Sequence, residues 1–260
     1  MIIELLNNRD VMSVPQLILT ALMLFFALSI SFAFHEFMHA KVSDWLGDDV
    51  ARLQGRVTLN PLAHLDPVGT VLILLFGFGW GKPVMYNPNN LSRFKSKRLM
   101  NIMVHLAGVT GNFILALIAM IICSVVMRIS GYPTAVPFVD AMHFAVGGIS
   151  GESDIPMVSA VICYVFYYVY SFSLGLLAFN ILPIPPLDGF HVLQELLPVK
   201  VRYSEWYQKF ERFSPMIILV VMLMGRFTNI NILSTLVTLI EIPFHIIINL
   251  ICSLIGIIGV

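Results

Sequence analysis

The chain has 260 residues, of which 58% are apolar and only 12% charged, and its mean hydropathy is +0.88. These values exclude an ordinary soluble domain and place the chain among polytopic membrane proteins, for which the bilayer is the solvent. Formal net charge is zero with no long run of like charge, so nothing points to nucleic acid, and the expected partners are hydrophobic: the lipid bilayer and other membrane segments.

Pro15 to about Val42 reads as the first spanning helix. Pro15 to Phe34 carries no charge and is long enough to cross; it is closed by His35-Glu36-Phe37-Met38-His39. The run lacks a basic n-region and a small-residue cleavage site, so it is expected to stay as a transmembrane helix rather than leave as a signal peptide. Two imidazoles and a carboxylate at membrane depth are costly unless they face a partner, a metal or water. Arg52 to Leu59, RLQGRVTL, has the alternation and β-branched content of a short strand, stopped by Asn60-Pro61. Asp66 to Trp80 is apolar but short and ends in glycines at 77, 79 and 81. A re-entrant course for it leaves only Arg9, Arg128 and Arg226 opposite all other Lys and Arg residues, the strongest cytoplasmic bias available. With that course the C-terminus is cytoplasmic if both C-terminal apolar runs cross.

Leu99 to Met127 is the second spanning stretch, and its Gly108 and Gly111 permit close helix packing. Ile155 to Leu187 is a third charge-free stretch. It ends in Asn180-Ile-Leu-Pro-Ile-Pro-Pro-Leu-Asp188-Gly189, where three prolines and a glycine break the helix at depth and free backbone groups to face a cavity. Residues 200–214 set Tyr203, Trp206, Tyr207, Phe210 and Phe213 against Lys200, Arg202, Lys209 and Arg212. This is an interfacial amphipathic helix, or the extension of a spanning helix beyond the bilayer. Two apolar runs follow, Phe213 to Gly225 and Phe227 to Val260, interrupted by Arg226 and Glu241. The expected fold is an all-α polytopic membrane protein of about five transmembrane helices, with a re-entrant segment and a short β element near the active site. It forms a single membrane-embedded domain over 1–260, with a catalytic core at about 15–195 and C-terminal helices at about 200–260.

Residues i and i+4 of a helix stand on one face about 40° apart, so His35 and His39 can offer two imidazoles to one Zn²⁺ while Glu36 stays free to hold a water. A catalytic zinc needs a third protein ligand and an open position. Asp188, His64 and Asp66 are candidates, and Asp188 is favoured by its place at the helix break. His64 and Asp66, in LAHLDP, also suit a pair that orients a metal ligand by hydrogen bonding, or ordinary turn and helix-start residues. Cys123, Cys163 and Cys252 lie far apart in apolar stretches and read as packing. His105, His143, His191 and His245 lack ligand spacing and read as structural. Glu241 is a functional candidate by its depth, or an interface residue near Pro243.

HEFMH in the first long helix, with NILPIPPLDG in a later one, resembles the site-2 protease family of intramembrane zinc metalloproteases. LQGRVTLNPLAHLDPVGT and FGWGKPVMYNPNN resemble its compact members without PDZ or CBS domains. The resemblance implies one catalytic zinc held by His35, His39 and Asp188, Glu36 as general base, and Asn180 holding substrate or stabilising the oxyanion. It implies cleavage of membrane-anchored regulatory proteins or leftover signal peptides, in the cell membrane of a prokaryote with the active site nearer the cytoplasm. One departure is Ala107-Gly108-Val109-Thr110-Gly111-Asn112, where Val109 replaces the family's proline. A buried peptide bond must unwind to be cut, and the glycine-rich 77–81 edge with RLQGRVTL is placed to take substrate as an added strand. The alternatives are a divalent-metal transporter, which needs polar groups along a path that 114–122 and 216–224 do not offer, and an inactive helix-binding relative.

Overall fold

A computed structural model describes residues 14–76, 79–132, 154–227 and 232–254, together with residues 141, 142, 145 and 149. Ten helices lie among the described residues of known bounds. They are α1 (Val14–Trp45), α2 (Val50–Leu53), α3 (Pro61–His64), α4 (Pro67–Phe76), α5 (Lys97–Ile129), α6 (Met157–Asn180), α7 (Asp188–Leu196), α8 (Val199–Arg202), α9 (Glu205–Phe227) and α10 (Ile232–Leu254). Arg9, Gly77 and His143, which entered the sequence reading, lie outside the described residues.

The centre is a bundle of α1, α5 and α6. Small side chains let the helices approach: Ala27 of α1, Ala116 and Ala119 of α5 and Ala160 and Ala178 of α6 are all fully buried. The contacts fix direction. Met23 and Leu24 of α1 share a cluster with Cys123 and Met127 of α5, while at the other end Leu46, just past α1, meets Met100, so α1 and α5 are antiparallel. Ser31 of α1 bonds to the Val169 carbonyl, and Ser173 Oγ donates to Ser31 Oγ at 3.1 Å, joining α6 to the same face. Cys123, Cys163 and Cys252 are free and buried, as packing residues should be.

Four described helices are long and apolar enough to cross a membrane: α1 (from Leu17), α5, α6 and α10. About five were expected. The difference is α9, whose first half, EWYQKFERF, is charged and whose apolar half alone is short of the roughly 20 residues a span needs. The aromatic face at 200–214 is divided between α8 and α9. Tyr207 is buried on Phe190 with ring centroids 5.7 Å apart, while Trp206, Phe210 and Phe213 remain exposed. Contacts of Tyr170 with His245 and of Gly175 with Glu241 set α10 antiparallel to α6. Its far end therefore lies with the start of α6, against the expectation that both C-terminal runs cross and return.

The short β element is also corrected: among the described residues no strand forms, only an isolated antiparallel bridge between Leu65 and Gly81. RLQGRVTL has no neighbouring edge to pair with, so its start closes the turn of α2 and Gly55, at φ +69°, reverses the chain. Arg56 then donates to the Ala63 carbonyl and anchors the loop to α3. The helix break is where the prolines place it, since α6 stops at Asn180 and α7 begins at Asp188.

Candidate metal centre

His35 and His39 project from one face of α1 toward the start of α7. Their Nε2 atoms are 3.1 Å apart, and each lies 3.2 Å from Asp188 Oδ2. Ligands about 2.0–2.1 Å from a tetrahedral zinc stand about 3.3 Å from one another, so the triangle has the size of a three-ligand face. A second observation tests the fit: Asp188 Oδ2 is buried and has no hydrogen-bond partner although two ring nitrogens are beside it. A buried carboxylate oxygen without a partner, beside two imidazole nitrogens, is what a cation-binding set looks like, and the residues present fit zinc. Among the described residues these three form the one such cluster.

α5 lines the other side of the histidines. The His39 Nδ1–H donates to the Val104 carbonyl at 2.7 Å, which leaves Nε2 with its lone pair for a metal. Asn112, fully buried, places its carboxamide 3.2 Å from His35 Nδ1. Between them, a Cβ on Gly108 would fall 2.4 Å from His39 Nε2 and 2.5 Å from His35 Cε1, so only glycine admits both rings. Residues 104, 108 and 112 are successive positions on one face of a helix, which is why an antiparallel α5 serves both imidazoles.

Glu36, 8% exposed, is not one of the three clustered residues and accepts the Val84 N–H at 3.1 Å on Oε2. Its carboxylate opens onto a cavity of about 360 Å³ whose walls include Phe32, Leu65, Gly81, Leu176, Asn180 and Leu187. Gly81 is required at this edge because a Cβ there would lie 2.2 Å from the Phe32 ring. Asn180, at the end of α6, lines the same cavity and donates through Nδ2 to the Leu176 carbonyl at 2.9 Å.

The remaining expected residues lie elsewhere. His64 is buried, with Nε2 2.9 Å from the Thr58 carbonyl, and its own carbonyl accepts the Lys82 N–H. Asp66 Oδ1 accepts the Val68 and Gly69 N–H groups and so caps α4. Neither is in the three-residue cluster. Two histidines read as structural stand near it: His105 and His191 stack at 4.8 Å, and the Tyr86 hydroxyl donates to His105 Nε2 at 2.9 Å. Burial first, then the carboxylates of Glu195, Asp188 and Asp48, push the Tyr86 phenol up to about 12, so it stays a donor at neutral pH.

A three-ligand metal set, two from a long apolar helix and one from the break after another, beside a carboxylate that lines a cavity, defines the class: an integral-membrane metallopeptidase. Residues 23–225 match the model of Peptidase family M50, and the chain belongs to that family, the site-2 protease type of zinc metalloprotease. It is also 38% identical over 176 residues, covering 67% of this chain and 69% of the other, to the Bacillus subtilis (strain 168) protein named "Putative zinc metalloprotease YwhC". No solved structure matches the chain.

Proposed function

We propose that this zinc metalloprotease is an endopeptidase that cuts transmembrane segments of membrane-anchored proteins, in regulated intramembrane proteolysis or in clearance of signal-peptide remnants. The observation that carries the reading is that Glu36 and Asn180 line one cavity, while His35 and His39, on the same helix as Glu36, converge with Asp188. Zinc on those three ligands would bring the pKa of a water from about 15.7 to about 7. Glu36 takes the proton of that water on its free oxygen and passes it to the leaving amine, a role worth about 10²–10⁴ in rate. The Val84 N–H holds the carboxylate in place for both transfers. Asn180, placed on the cavity wall, turns its amide to the scissile carbonyl oxygen and stabilises negative charge there.

The substrate runs beside Gly81–Tyr86, a helix-free segment next to Glu36, and adds to it as an extended strand; the bridge between Leu65 and Gly81 supports a locally extended backbone there. The antiparallel packing of α1 and α5 supports a re-entrant course for α4, ten residues long, since residues 46–96 must begin and end at one face. The basic residues between 93 and 98 and between 200 and 212 share that face, which makes it cytoplasmic in a prokaryotic cell membrane. We take residues 1–260 as one membrane-embedded domain.

The test is zinc content together with cleavage of a membrane-anchored model substrate by purified wild type, Glu36→Gln and Asp188→Ala. The reading expects one zinc per chain in wild type and Glu36→Gln, weakened binding in Asp188→Ala, and cleavage by wild type alone. Zinc moving across liposomes without cleavage would sink it in favour of a transporter.

A further inference from the structure

His35 ligates through Nε2 only if its proton sits on Nδ1, because a neutral imidazole carries one N–H. That proton needs an acceptor inside the bundle, where an unpaired N–H is expensive. The atoms within reach belong to Asn112, fully buried on α5, whose Nδ2 position lies 3.2 Å from His35 Nδ1 and whose Oδ1 has no hydrogen-bond partner. With Nδ2 on that side, the amide donates to Nδ1 and puts the histidine proton on the nitrogen that faces Asp188. The O and N of a carboxamide exchange by a half-turn about its last bond. The turned amide sets Oδ1 against Nδ1–H, satisfies the orphaned oxygen and frees the Nε2 lone pair.

We propose that Asn112 is a positioning residue for the metal: its side-chain oxygen accepts the Nδ1 proton of His35 and holds that imidazole in the ligating tautomer. It does for His35 what the Val104 carbonyl, two turns earlier on α5, does for His39. Helical geometry explains the division. His39 lies opposite a backbone carbonyl that Gly108 leaves uncovered, whereas His35 meets α5 where a side chain must reach across. The inference rests on the zinc-protease reading, and its test separates the two.

Zinc affinity is measured by competition with a chelator, in detergent, for wild type, Asn112→Asp and Asn112→Leu, with cleavage followed at saturating zinc. A carboxylate keeps the acceptor, whereas leucine keeps the volume and removes it. The expected order is Asn112→Asp at or above wild type, with Asn112→Leu binding zinc about ten- to a hundredfold more weakly and regaining cleavage as zinc is raised. Asn112→Leu equal to wild type, or Asn112→Asp binding tenfold more weakly, would assign Asn112 to helix packing and overturn the inference. Asn112→Asp decides alone if the leucine variant does not fold. A wild type that binds no zinc would instead overturn the protease reading itself.

Discussion

At the residue scale, the site has little slack around the imidazoles. Gly108→Ala puts a methyl group against both rings and should weaken zinc binding about tenfold or more, a loss that chelator competition would show. Asn180→Ala removes a donor and no metal ligand; we expect zinc content to be unchanged and kcat to fall about 10²–10³-fold. Equal loss of zinc and rate would move Asn180 from the carbonyl oxygen to the support of the fold. That His35, His39 and Asp188 come together was legible in the sequence, because helical periodicity alone puts the histidines on one face and prolines mark where α6 must end. Val84 and Asn112 were not. The first acts through its backbone N–H, to which side-chain identity is silent, and the second acts only because α1 and α5 run antiparallel.

At the scale of elements, the segment after α4 holds the Glu36 carboxylate through the Val84 N–H. Val84→Pro deletes the N–H that meets Glu36, a charge-assisted bond worth about 1.5–3 kcal/mol, so cleavage should drop roughly ten- to a hundredfold relative to Val84→Ala with zinc retained. No difference between the two variants would show that Glu36 is held by other means. RLQGRVTL shows why the same region was misread. Alternation makes a strand only where a partner edge exists, and here Gly55 turns the chain back before one is met. α9 was misjudged for a related reason, since hydropathy counted its apolar half as a crossing although the helix begins in charge.

At the scale of the whole molecule, if the four candidate spans all cross, both ends of the described chain lie on the face away from the metal ligands. Single cysteines introduced at Lys97 and Lys209 should react with an impermeant maleimide from one side of sealed vesicles, and one at Ile129 from the other. The background is low because Cys123, Cys163 and Cys252 are buried. Labelling of positions 97 and 209 from opposite sides would mean that α5 or α6, the two long helices between them, does not cross.

The metal ligands come from opposite ends of the central chain, two from α1 and one from α7, with about 150 residues and the whole of α5 and α6 between them. A bound ion therefore works as a cross-link as well as a catalyst. It ties α1 to the start of α7, next to the cavity-lining residues Glu36 and Leu187, without any covalent bond. Ligand linkage gives the size of that tie: about 4.1 kcal/mol when free zinc exceeds its dissociation constant a thousandfold. Stripping the metal should thus lower the unfolding temperature of the bundle as well as stop cleavage, and Glu36→Gln, inactive but loaded, should melt with the wild type.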